Sequence, residues 1–155
     1  MNPLKLQELL EQARSELTLL YEIGNALRTT LDFDETLYII LTGATSHAGL
    51  GFNRAGIFLV DKTTNLLIGR MGIGPETGEE ALAIWGEIQK RRQGLKDLIA
   101  NYRAGQALKG SAFHKKITSL KIPLTERAGG MLCLTALEGT PREVISSEQQ
   151  LKAAD

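Results

Sequence analysis

Along residues 4–29 the apolar positions return in alternating steps of three and four. Leu6, Ala13, Leu20 and Leu27 make one seven-residue row, and Leu10, Leu17 and Gly24 make its companion. This is the spacing of a coiled-coil or bundle seam, and it predicts one long helix. Leu19 and Ile23 widen the stripe, which gives the helix apolar surface for its own domain as well as for a second copy. The expected interface with that copy is Leu6, Leu10, Ala13, Leu17, Leu20 and Leu27.

A second helical pattern opens in "DFDETLYIILTGATSHAG" (32–49), where Asp32 stands at the N-cap and Glu35 follows three residues later to answer it. Leu37, Ile40, Leu41, Ala44 and Ala48 share one face, and Gly49 and Gly51 end the segment. The period then shortens to two. "NRAGIFLVD" (53–61) and "NLLIGRMGIG" (65–74) predict two strands joined by the polar turn "KTT". The glycines of "GRMGIGP" read as turn geometry ahead of Pro75.

Residues 75–103 return to the helical period. Pro75 suits a first helical position, and Ala81, Ile84, Trp85 and Ile88 fall on one face. Gly94 interrupts the helix, after which Leu95, Leu98, Ile99 and Tyr102 form a second face. Beyond "AGQALKG", the run "ITSLKIPLTERAGGMLCLTAL" (117–137) predicts a closing hairpin. Leu120, Ile122 and Leu124 alternate along its first strand, and Leu132, Leu134 and Ala136 along its second. "SSEQQ" offers capping-box spacing for a last helix that Asp155 cuts short. Helices alternating with meander pairs of strands predict an α+β domain with a mostly antiparallel sheet.

Composition narrows the functions available. The 155 residues suffice for one ordinary domain, and 43% hydrophobic with 23% charged residues argues against disorder. Eighteen Lys and Arg balance eighteen Asp and Glu, so no net field draws nucleic acid or anionic lipid. The basic run Lys90, Arg91 and Arg92 complements a helix dipole, with Glu76, Glu79 and Glu80 at the other end. The lone Cys133 permits no internal disulfide. With no apolar run of membrane length and no signal peptide, the expected location is the cytoplasm, without membrane contact by this domain.

The order and spacing of these segments resemble the GAF sensory domains of signalling proteins, from about residue 15 to 150. "ELTLLYEIGNALRTTLDFDETLYIIL" is similar to the leading helix of that family and its passage into the second helix. "NRAGIFLVD…NLLIGRMGIG" resembles its first hairpin, "ITSLKIPLTERAGGMLCLTAL" its last, and "PREVISSEQQ" its run into the closing helix. The resemblance implies a twisted antiparallel sheet of five or six strands. Terminal helices cover one face of that sheet, and connecting helices cover a ligand pocket on the other. It divides the chain into a signalling and dimerisation helix (1–30), a GAF-like sensory core (31–145) and the start of a C-terminal helix (146–155). It also implies a non-catalytic regulatory module that binds a small molecule and relays the signal through the terminal helices of a homodimer. The parent expected first is a bacterial sensor histidine kinase of a two-component system, then a diguanylate cyclase or a transcriptional regulator. A ligand-free dimerisation module remains an alternative reading.

The chemistry-bearing residues fit a binding role better than a catalytic one. Asn53-Arg54, Phe58 and Asp61-Lys62 are a near miss to the family's cyclic-nucleotide motif, with Lys62 in place of an acid. Cys133 lies in an apolar run, where a small buried hydrophobe is favoured over a bilin attachment point. His47 and His114 stand alone, His114 in the loop before the last hairpin, and neither belongs to a haem or zinc pattern. No nucleophile–base pair or phosphate-cradling loop is present, so an enzyme on this fold is disfavoured and no cofactor is specified. Three residues are candidates for a ligand pocket. Trp85 lies on the apolar face of the helix expected to cover the sheet, where packing alone also accounts for it. Arg70, within an apolar strand, could meet an anion or point to solvent. His114 completes the set.

Overall fold

A computed structural model describes residues 3–46, 49–82, 94–125 and 130–143. It is a mixed helix-and-sheet fold. Helix α1 spans Pro3–Thr29, α2 Phe33–Thr45, α3 Leu95–Arg103, α4 Ala112–Ser119 and α5 Gly130–Glu138. Strands β1 (Ala55–Asp61), β2 (Leu66–Ile73) and β3 (Lys121–Pro123) form one sheet in the order β1-β2-β3. Strand β3 runs antiparallel to β2, with Leu66 opposite Pro123, Leu67 opposite Ile122 and Ile68 opposite Lys121.

The chain divides into two compact units, one of residues 1–58 with 69–120, the other of 59–68 with 121–155. In the first, α1, α2 and α3 pack on one another. Leu19, Ile39, Leu95 and Ile99 are buried together, with Ile23, Ala26 and Leu27 against them. The opposite side of α2 lies on the sheet, where Leu37, Tyr38 and Leu41 meet Met71, Ile57 and Ile73. Helix α2 therefore has two buried faces. Ile39 is fully buried and Ile40 is exposed, the reverse of the order expected from a single stripe through Ile40.

The start of α2 follows from its sequence. The Asp32 carboxylate accepts a hydrogen bond from the Glu35 N–H at 2.7 Å, satisfying one of the orphan donors of the first turn. The reciprocal half of the expected capping box does not form. The N–H of Asp32 donates to the Thr30 hydroxyl (3.1 Å), and the Glu35 side chain turns to Arg103 at the end of α3.

Helix α4 replaces the loop expected around His114. Ser111 caps it, accepting from the His114 N–H at 3.1 Å. Its Ile117 presses on a glycine-lined stretch of β1 and β2: a Cβ built at Gly69 would lie 1.9 Å from the Ile117 carbonyl oxygen, and one at Gly72 2.8 Å from Ile117 Cγ1. These glycines serve helix–sheet approach. Turn geometry accounts only for Gly74, at φ +122°.

In the second unit the β1–β2 turn is built by Asp61, whose carboxylate accepts from the N–H of Thr63 (2.9 Å) and the hydroxyl of Thr64 (2.6 Å). The Thr64 hydroxyl, followed by the backbone N–H groups, holds the Asp61 carboxyl below its ordinary range. Asn65 closes the turn in the left-handed conformation at φ 55°.

Among the described residues of the predicted closing hairpin, only β3 is a strand. Residues 112–119 and 130–138 are helical. Six of the nine residues of "GMLCLTALE" are strong helix formers, and Thr135 is its one β-branched residue. Gly139, at φ +66°, ends α5 by donating to the Thr135 carbonyl at 2.9 Å. Cys133 is fully buried, and its Sγ donates to the Pro123 carbonyl at 3.4 Å.

The three-stranded sheet agrees with an α+β class, whereas five or six strands are not formed among the described residues. No described helix is long and apolar enough to cross a membrane.

Candidate functional site

A cleft of about 260 Å³ opens in the first unit where β2, the start of α2, the end of α3 and α4 converge. Asp34 comes from the first turn of α2, Arg70 and Met71 from β2, Tyr102 from α3, and His114 and Thr118 from successive turns of α4. Leu108, in the connection between α3 and α4, completes the wall.

Arg70 is exposed where Met71 beside it is buried, the alternation expected along a strand. Its guanidinium grips Asp34 side-on: Nε donates to Oδ1 at 2.8 Å and Nη2 to Oδ2 at 2.5 Å. The Asp34 carboxylate, first by hydrogen bonding and then by charge, raises the already high pKa of Arg70. Both side chains keep contact with solvent, 48% exposed for Arg70 and 36% for Asp34. A pair so hydrated contributes little to stability.

Tyr102 stacks on Tyr38 with ring centroids 4.4 Å apart and planes 18° from parallel. Burial pushes the Tyr102 hydroxyl pKa up, and the carboxylates of Asp34, Asp32 and Glu35 push it further. His114 accepts through Nδ1 from the Gly72 N–H at 3.4 Å, which places its proton on Nε2. Burial lowers the His114 pKa, so the ring is neutral near pH 7. The Thr118 hydroxyl donates back to the carbonyls of His114 (3.0 Å) and Lys115 (3.1 Å) and leaves its lone pairs for another donor.

Behind the cleft, Glu35 is almost fully buried and holds Arg103 through three hydrogen bonds, the shortest 2.7 Å. The Arg103 guanidinium, outweighing desolvation, keeps the Glu35 carboxyl below its ordinary value. This pair locks the first turn of α2 to the last turn of α3. Lys116 on α4 reaches Glu76 at 2.9 Å and ties α4 to the loop after β2.

The structure brings together two of the three residues expected to line a pocket, Arg70 and His114. The third, Trp85, lies outside the described residues, as do His47, the run Lys90–Arg92 and the segment 146–155. Asp34, Met71, Tyr102, Leu108 and Thr118 line the cleft without having been expected there. Tyr102 was legible as part of the apolar face of α3, but nothing local in the sequence joins it to Asp34.

The expected dimer seam divides in two. Leu6, Leu10, Ala13, Leu17 and Leu20 lie on exposed surface, with Leu10, Leu17 and Leu20 at 60%, 66% and 64%, whereas Leu27 packs on the protein's own core. Among the described residues no three His, Cys, Asp or Glu side chains group as metal ligands. Compared with protein-family models, with curated proteins and with solved structures, the chain matches none.

Proposed function

We propose that the chain is a GAF-type sensory module, non-catalytic in itself, that binds a small molecule in the Arg70–His114 cleft and signals through α1 in a homodimer. One observation carries this reading. The two helices that supply Asp34 and Tyr102 to the cleft are the same two that hold α1: Ile39 of α2 and Leu95 and Ile99 of α3 pack against Leu19. A ligand that draws Asp34 and Tyr102 together changes the seat on which α1 rests, and a change in α1 packing biases whatever is attached to it.

The sequence resemblance supplies the family. The succession α1, α2, β1–β2 hairpin follows it, while the helical α5 departs from it in place of a last strand. By the same resemblance the setting is a cytoplasmic bacterial signalling protein, a sensor histidine kinase before a diguanylate cyclase or a transcriptional regulator. The exposed leucines of α1 also favour a second reading, a dimerisation module that holds no ligand.

A thermal-shift screen of metabolites on the 155-residue chain separates the two. Each hit is followed by electron–electron distance measurement between nitroxides at position 8 of two protomers, after Glu8→Cys at an exposed position off the leucine seam. A ligand that raises the midpoint and alters that distance supports the sensory reading. A dimer with no hits leaves the dimerisation module.

A further inference from the structure

Resting on the sensory reading, we infer that the ligand of the cleft is a zwitterion, an α-amino acid with an apolar side chain. The charges of the cleft favour this class. Arg70 and Asp34 cancel, and His114 with its Nδ1 accepting from Gly72 adds no charge. A simple anion reaching Arg70 would meet Asp34 beside it, and a simple cation reaching Asp34 would meet Arg70. A molecule carrying both charges on groups attached to one carbon lays its carboxylate toward the guanidinium and its ammonium toward the carboxylate, so every close pair is attractive.

The bonding capacity also fits. A guanidinium offers five N–H donors, and the Asp34 bonds use one on Nε and one on Nη2. The donors left on Nη1 and Nη2 form a second planar fork of the shape that takes a carboxylate in two parallel bonds. Each Asp34 oxygen accepts one bond from Arg70 and retains a lone pair for an ammonium. Because the ion pair fixes both partners before the ligand arrives, little side-chain freedom is lost on binding.

Beside the charged pair, Leu108 and the ring of Tyr102 form the apolar part of the lining, the place for a hydrocarbon side chain, while Met71 is itself buried. The volume of about 260 Å³ falls below the roughly 300–1,000 Å³ typical of sites for drug-sized molecules. A space of that order suits a ligand the size of a single amino acid.

Titration calorimetry on the 155-residue chain tests the inference with L-leucine, 4-methylpentanoate and isopentylamine, which share a side chain and differ in the charged groups. Leucine is expected to bind at least tenfold more tightly than either analogue. Arg70→Gln and Asp34→Asn should each weaken leucine at least tenfold. Since the analogue comparison uses the unaltered chain, it stands even if a variant fails to fold.

Equal binding of leucine and 4-methylpentanoate would overturn the inference. So would failure of L-leucine, L-methionine and L-phenylalanine while other metabolites bind, and that outcome leaves the sensory reading in place. If no metabolite binds at all, both fall together.

Discussion

The carbonyl oxygen of Ile117 on α4 sits where a side chain at Gly69 of β2 would begin, 1.9 Å from the position of its Cβ. The obstacle is backbone, which cannot swing aside like the tip of a side chain. Gly69 also donates its N–H to the Leu120 carbonyl at 3.0 Å, so strand and helix end are tied as well as touching. Gly69→Ala is therefore expected to destabilise the protein by about 3 kcal/mol, the upper range for overpacking. It should also displace α4 and with it the cleft residues His114 and Thr118. Gly24→Ala provides the contrast. Nothing lies within 4 Å of its Cβ position, and an interior helical glycine replaced by alanine gains about 0.5–1 kcal/mol. Urea denaturation of the two variants measures both signs.

The cleft was half legible in the sequence, for a physical reason. Periodicity reports which residues share a face of one element, and it identified α1, α2, the first hairpin and the Leu95–Ile99–Tyr102 face of α3. It carries no information about which elements meet. Arg70 was noticed because a charge interrupts an apolar strand. Its partner Asp34 carries no such signal, being one of two acids in a capped first turn. Helix α4 lies mostly in what reads as a loop around His114, its end in the alternating "ITSLKIPL", and α5 lies where alternation across "GMLCLTAL" imitates a strand. Capping by Ser111 decided the first, and helix propensity the second.

Two titrations should shape stability below neutrality. Burial depresses the His114 pKa from its ordinary 6.5. The unfolded state then takes up the proton first, so stability declines as pH falls below about 6.5. Arg103 depresses Glu35 from 4.5, so the stabilisation from their pairing is present above 4.5 and is lost as pH falls through the lower folded value. Thermal midpoints from pH 8 to 3 should show both declines. His114→Gln should flatten the upper one and Glu35→Gln the lower one, each without removing the other.

Cys133 is expected to be chemically silent in the folded protein. It is 0% exposed, and its Sγ is committed to the Pro123 carbonyl. A thiol reagent such as dithionitrobenzoate should label it at least a hundredfold more slowly in the native protein than in urea. Rapid native labelling would show that α5 opens readily from β3.

The final prediction concerns α1, whose two faces have different fates. Leu19, Ile23 and Leu27 lie on the core side, whereas Leu10, Leu17 and Leu20 remain more than half exposed along the seven-residue repeat. A stripe of leucines at that spacing is stabilised by knobs-into-holes packing with a second copy of the same helix. Each leucine taken from water contributes about 1.5–3 kcal/mol. Replacing Leu17 and Leu20 together with Glu puts two like charges in each half of that seam while leaving the core side of α1 unchanged. The double variant should therefore be a folded monomer by light scattering and circular dichroism, with the unaltered chain a dimer at micromolar concentration. The same substitutions on Leu19 and Ile23 should unfold α1 from α2 and α3, so the two pairs distinguish an interface from a core. An unaltered chain that is already monomeric at high micromolar concentration would rule out the α1 dimer and, with it, relay through that helix pair.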